Sequence, residues 1–449
     1  MFRPILAISF ALISTSLPLS AEITADTLWD VWQSGDRPVE ARLVDREAGT
    51  LVLEGVTFRG GAITYRADRM TLADREDGRV AVAIEGPIDM SIRGLPEGAV
   101  AMIDPSDAEI LVDRDGDDLT YDIDGDGLTA TLSGMGPSFP TADYRLVDLK
   151  ATFVADAASG ALRDMTASVG RLLAQFVLPD GPGTDVDLKF DGLTGGATWQ
   201  GDRDYETQTN FDALTIELES VVLGEPLDVT LRAGKGQFSG GLADLVATTQ
   251  LDLSDVLAVA KGDAVPRDDG AATMKSLHLA ARVPAFAGTD PVPVSLEIDA
   301  RDVVPTAAYW TRLDPDAVLT RDPMQVHLAM SGHASLPQAE DAGWAETVSD
   351  LTIDRMRLSG LGTEITGKGQ VEMPMSPRSA DGTLSFVATG LLDTIGALGK
   401  SGLLLPGPEL GARMGLAFAT MPNPDGDGLL SKVKFGPDGT IRMNEIVLR

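Results

Sequence analysis

The chain has 449 residues, 43% of them hydrophobic, which is enough apolar content for a buried core and too much for a disordered polymer. Sixty-eight acidic residues against 36 basic ones give a formal charge of −32, which opposes any sequence-independent hold on a nucleic-acid backbone. There is no cysteine, so disulfides, thiolate metal sites, cysteine nucleophiles and a cysteine-borne lipid anchor are all excluded.

The chain opens with Arg3, an apolar stretch from Ile5 to Leu17 and the small-residue pattern Leu19-Ser20-Ala21. This is the form of a secretory signal peptide over residues 1–21, with cleavage leaving Glu22 first. Its apolar run is shorter than the roughly 20 residues a spanning helix needs. The expectation is therefore a periplasmic protein with no transmembrane anchor after cleavage. Aromatics make up only 5% of the chain, and the strands lack girdle residues, which disfavours an outer-membrane barrel.

Thr24 or Asp26 then caps a predicted helix whose face is Leu28, Trp29, Val31 and Trp32, ending at Gly35. From Leu51 the period changes to two. Leu51 and Leu53, then Ile63 and Tyr65, then Val80, Val82 and Ile84, then Ile88, Met90 and Ile92 read as half-buried strands. Turn residues separate them at Gly60-Gly61, Asp77-Gly78, Gly86-Pro87 and Gly94-Leu95-Pro96. The alternation continues through Val186 to Phe190, Leu214 to Leu218, Leu227 to Leu231, Leu277 to Ala281 and Val292 to Ile298. Helical spacing interrupts it at Asp255 to Lys261, Asp341 to Thr347 and Leu391 to Leu398.

Parallel folds need a helix at every crossover, and these helices are too few. The fold class is therefore mainly β: an elongated, curved, mostly antiparallel sheet with a few short helices, α+β by strict count. Breakers and charge clusters near Pro137 to Pro140 and Ala264 to Gly270 divide the mature chain. The resulting regions are N-terminal β-rich at 22–140, central β-rich at 141–265 and C-terminal β-rich with short helices at 266–449.

Asp113, Asp115 and Asp117, then Asp122, Asp124 and Asp126, place carboxylates at alternate positions with Gly127 closing the second stretch. Such spacing suits calcium, a hard cation wanting six to eight oxygens. The second stretch has Ser133 where a bidentate Glu belongs, and the first has Asp118 where glycine belongs. Asp-Gly hairpin turns are the competing account, and the same holds for Asn423 to Gly428. Gly399-Lys400-Ser401 ends like a phosphate loop, but Thr394 stands where its first glycine would be, and a helix precedes it. His278, His327 and His333 read as solvated positions, the last two sharing a polar strand face. No G-x-S-x-G elbow or H-E-x-x-H is present, so no enzyme is expected. A carboxylate-only hydrolase would need a cleft that sequence does not display.

Ile23 to Trp29, followed by Gly49 to Val56, resembles the start of an uncharacterised secreted family of alphaproteobacteria without an assigned activity. Leu358 to Gly369, Gly382 to Phe386, the Leu391 to Leu398 helix and Phe435 to Asn444 resemble, more distantly, the end of AsmA-like envelope proteins. Asn444-Glu445 departs from the Asn-Gly usual in that last hairpin. The resemblance implies a β-rich cell-envelope protein with a hydrophobic groove that handles lipid, and it transfers no site residue. On this reading the chain is a non-enzymatic periplasmic protein binding lipid or another amphiphile along an apolar strand face, with other envelope proteins as partners. Ile63, Tyr65, Val80 and Val82 are candidates for that face, and equally for an ordinary core. The alternative is an acidic structural or protein-interaction scaffold stiffened by calcium.

Overall fold

The computed structural model describes residues 23–35, 39–60, 63–92, 100–105, 108–133, 141–178, 184–200, 204–222, 225–263, 265, 269–285, 288–336, 348–373, 380–444 and 446–448. Among them the chain is mainly β, with short helices set between long antiparallel strands. It divides into two compact units, one ending at Ser239 and the other beginning at Gly240.

In the first unit α1 (Ala25–Ser34) precedes β1 (Glu40–Glu47), β2 (Thr50–Gly60), β3 (Ile63–Asp74) and β4 (Val80–Ile92), each paired with the one before. The short β5 (Val100–Asp104) and β6 (Ala108–Asp115) pair with opposite ends of β4 and again with opposite ends of β7 (Asp118–Ser133), so together they do the work of one strand. β8 (Thr141–Asp156), β9 (Leu162–Leu178) and β10 (Thr184–Trp199) continue the meander. β10 is then shared by β11 (Tyr205–Phe211) and β12 (Ala213–Val222), and β12 pairs with β13 (Glu225–Ala233).

α1 forms where the sequence places it. Thr24 and Thr27 cap reciprocally, the Thr24 hydroxyl accepting from the Thr27 amide at 3.2 Å and the Thr27 hydroxyl accepting from the Thr24 amide at 2.8 Å. Gly35 ends it, donating to the Val31 carbonyl. Leu28 and Trp29 are buried among Leu51, Leu53, Val56, Leu72, Val80 and Val112, forming the core of this unit's first strands. Trp32 packs edge-on against Phe58 with ring centroids 5.5 Å apart, and its Nε1 donates to the Tyr121 hydroxyl at 3.0 Å. Each such leucine contributes roughly 1.5–3 kcal/mol by leaving water.

In sequence the division between units falls within β14 (Gly236–Ala243). Beyond it, β15 (Val246–Lys261), β16 (Asp269–Pro284), β17 (Gly288–Pro305), β18 (Met324–Leu336), β19 (Val348–Gly360), β20 (Thr363–Glu372) and β21 (Asp381–Thr389) pair successively, all antiparallel. α2 (Ala307–Leu313) sits between β17 and β18. α3 (Leu391–Lys400) and α4 (Pro406–Ala419) precede β22 (Met421–Pro422) and β23 (Leu429–Phe435). β23 pairs with β21, and β24 (Ile441–Met443) and β25 (Ile446–Val447) close the order.

Two helix expectations meet different outcomes. Leu391–Lys400 is helical, starting from Gly390 at φ 72, where a Cβ would collide with the Gly362 carbonyl. Asp255 to Lys261 is not a helix. It is the end of β15, with Val256, Leu257 and Ala258 opposite Met274, Thr273 and Ala272. Asp255 takes φ 51 and shifts the side-chain phase, so the apolar residues on either side of it mimic a helical spacing. The helix expected at Asp341 to Thr347 lies outside the described residues, as do the signal segment and the Pro137 to Pro140 stretch.

Candidate functional site

Directly opposed residues of an antiparallel pair share a face, so the register shows what each side of the second unit's sheet presents. One row reads Leu253, Leu277, Ala300, Val326, Leu358, Ile365, Ala388 and Leu429 from β15 to β23. The next on the same face reads Leu251, Leu279, Ile298, Leu328, Met356, Gly367, Phe386 and Ser431. The third includes Ala281, Leu296, Met330, Ile353, Leu384 and Val433. No charged side chain interrupts these rows.

Most of these residues are only half-buried, and Leu296 and Leu358 are exposed at 36% and 39%. Among the described residues, the strands from β15 to β23 touch chiefly their own neighbours, with α2 against β16 and α3 against β20. Among the described residues, an apolar face eight strands wide therefore has no second layer packed on it over most of its extent. Gly367 belongs to it for a steric reason: a Cβ there would lie 2.6 Å from the Phe386 ring, so the glycine lets the ring lie flat across its neighbour strand.

The opposite face is polar. Asp252, His278, Asp299, His327 and Arg357 stand side by side on β15 to β19 in one lateral row. The Nδ1 of His278 is 2.6 Å from Asp252, and that of His327 is 3.5 Å from Asp299. His333 likewise faces Asp350 at 2.9 Å. All three histidines thus lie on the polar side, each beside a carboxylate on a neighbouring strand. The Arg301 guanidinium beside Asp299 holds that carboxyl below the usual carboxylate range, with His327 helping. Burial pushes the Asp252 carboxyl up, but hydrogen bonds from Gln250 and His278 outweigh it and leave it lowered.

The acidic stretch of the first unit is a hairpin. Asp113 and Asp115 lie on β6, and the two-residue turn Gly116-Asp117 leads directly into β7. Gly116 supplies φ 62 at the first turn position, where a tight hairpin favours glycine. Asp122, Asp124 and Asp126 are on β7 itself, spread along an extended backbone at about 6.8 Å intervals. Asp122 accepts from the Thr152 hydroxyl at 2.8 Å, and Asp124 pairs with Lys150 at 2.8 Å. The second stretch is thus neither a turn nor a loop. Among the described residues no three His, Asp or Glu side chains are grouped to hold a metal ion. Asn423 to Gly428 is a turn between β22 and β23, where the Asn423 amide donates to the Gly428 carbonyl.

Of the four residues proposed for an apolar groove, Val80 and Val82 are 0% and 5% exposed and belong to the core beneath α1. Tyr65 is half-buried, and the Ile63 side chain lies outside the described residues. The open apolar face is in the other unit, and its rows involve strands whose register no single sequence discloses. A concavity of about 640 Å³ on β7 to β12 is lined by Tyr144, Leu173 and Leu188 together with charged groups, among them Asp143, Arg145, Lys189 and Glu217.

The fold and its faces thus define a mainly β protein whose second unit has, among the described residues, an open apolar sheet side. No protein-family model, curated protein or solved structure matches the chain.

Proposed function

We propose that the chain is a non-enzymatic periplasmic envelope protein that holds the acyl chains of a lipid or other amphiphile against the apolar face of β15 to β21 and β23. The observation that supports this most is the uncharged, half-exposed run of three rows across eight strands. Seven strand spacings make it about 34 Å wide. An acyl chain, about half of a ~30 Å bilayer core in length, fits within that width. Laying acyl chains there removes apolar surface from water on both partners, at about 25 cal/mol per Å². The resemblance to AsmA-like envelope proteins favours the same reading.

The test is to purify the mature protein from its native periplasm, extract it with organic solvent and examine the extract by mass spectrometry. Lipid enriched over a control periplasmic protein, on a chain beginning at Glu22, is the expected result. A folded protein that yields no amphiphile would overturn the reading.

A further inference from the structure

Lysine is rare in this chain, nine residues in all, yet three stand together on the polar face of the last strands. Lys368 of β20 and Lys432 of β23 flank Ser385 of β21 in one row. In the next, Gln370, Thr383 and Lys434 lead to Arg442 of β24. All four cations are exposed. None has a carboxylate within salt-bridge distance among the described residues, although acids outnumber bases 68 to 36. Lys434 and Arg442 are directly opposite one another, a like-charge pairing that destabilises a sheet.

Beside them is a concavity of about 500 Å³ bordered by Lys368, Gln370, Thr383, Ser385 and Lys432. Asp354 also borders it and accepts from the Ser331 hydroxyl at 2.7 Å, keeping its charge, so two lysines stand against one carboxylate at the concavity itself. The 59 residues from Leu391 onward carry six acids and six bases, so the whole net charge lies upstream of them. Cations without a carboxylate in salt-bridge distance among the described residues, Arg442 acting on the Asp438 carboxyl only at longer range, with hydroxyl and amide donors between them, form the surroundings a phosphate group accepts. The charge of −32 opposes an anion at long range, but screening confines that opposition to about 8 Å at physiological salt. Within that distance the cluster decides.

We infer that this polar face, through Lys368, Lys432, Lys434 and Arg442, binds a phosphate-bearing ligand. The inference does not rest on the acyl-chain reading, because the two surfaces are opposite faces of the sheet. The test uses the mature chain and three probes: inorganic phosphate, soluble short-chain phosphatidylglycerol, and vesicles of phosphatidylcholine with or without phosphatidylglycerol. A Lys432→Glu/Lys434→Glu double variant is compared with the parent, and Lys432→Gln/Lys434→Gln serves if charge reversal impairs folding.

Binding of at least one phosphate probe, weakened about tenfold or more in the variant, supports the site. Response to inorganic phosphate and lipid alike identifies the phosphate group itself as the ligand, and response to the lipid probes alone identifies a headgroup. No binding of any probe, or equal binding by parent and folded variant, overturns the site and leaves acyl loading untouched.

Discussion

Placing the same charge at two positions of the second unit separates an open apolar face from a closed core. Leu328 lies in the middle row of that face and is half-buried, whereas Val256 on β15 is 1% exposed. Full burial of such a side chain contributes roughly 1.5–3 kcal/mol, so Leu328→Asp gives up about 1 kcal/mol while its carboxylate still reaches water. Val256→Asp leaves a carboxylate without water or partner and costs about 4 kcal/mol or more. For a unit of this size the first change lowers the midpoint by about 2–4 °C and the second by more than about 10 °C. Circular dichroism melts measure both, and mass spectrometry of the extracted protein measures loading. Leu328→Asp is expected to stay folded and to lose its amphiphile. If it unfolds as readily as Val256→Asp, the face is a closed core. If it stays loaded, the acyl chains lie elsewhere, and in either case the proposed function fails.

Three further outcomes are expected. Gly390→Ala forces an alanine into φ 72 against the Gly362 carbonyl, costs about 1–2 kcal/mol or more, and lowers the denaturant midpoint of the second unit. The lowered pKa of Asp299 contributes stability that is present above the ordinary carboxylate value near 4 and is lost as pH falls through the folded value. Asp299→Asn should therefore flatten that part of the acid-unfolding curve, and an unchanged acid limb would contradict the assignment. Because Lys150 and Thr152 already engage Asp124 and Asp122, millimolar calcium should leave the melting temperature unchanged. A rise abolished by Asp122→Asn, Asp124→Asn and Asp126→Asn together would restore the calcium-stiffened scaffold.

The strands were legible because a sheet with one polar side forces apolar residues to alternate, as Leu277, Leu279 and Ala281 do. α1 was legible from its caps and stripe. α4 was not: Gly407, Gly411 and Gly415 oppose a helix, and against them stand Pro406 and Glu409 in its first turn and the Glu409–Arg413 pair. Its Leu410, Met414 and Phe418 remain 61%, 55% and 69% exposed, so packing left no imprint on the pattern either. The candidate site was hidden for a different reason. That His278 stands between Asp252 and Asp299, or Lys434 beside Arg442, depends on loop lengths and a pairing register that a slip of one residue would change. Residue types were visible, but their lateral order was not.

In each unit, pairing joins strands that are consecutive or nearly so in the chain, from β1 with β2 through β20 with β21. Such an array has short loops to close, so ordering can advance strand by strand from whichever end emerges first, without waiting for a distant partner. It also means that length is a free variable. Inserting or deleting one hairpin between β16 and β19 would widen or narrow both faces by two strands while every other register stayed as it is. A lineage carrying this architecture can therefore change the width of both faces without inventing a new fold.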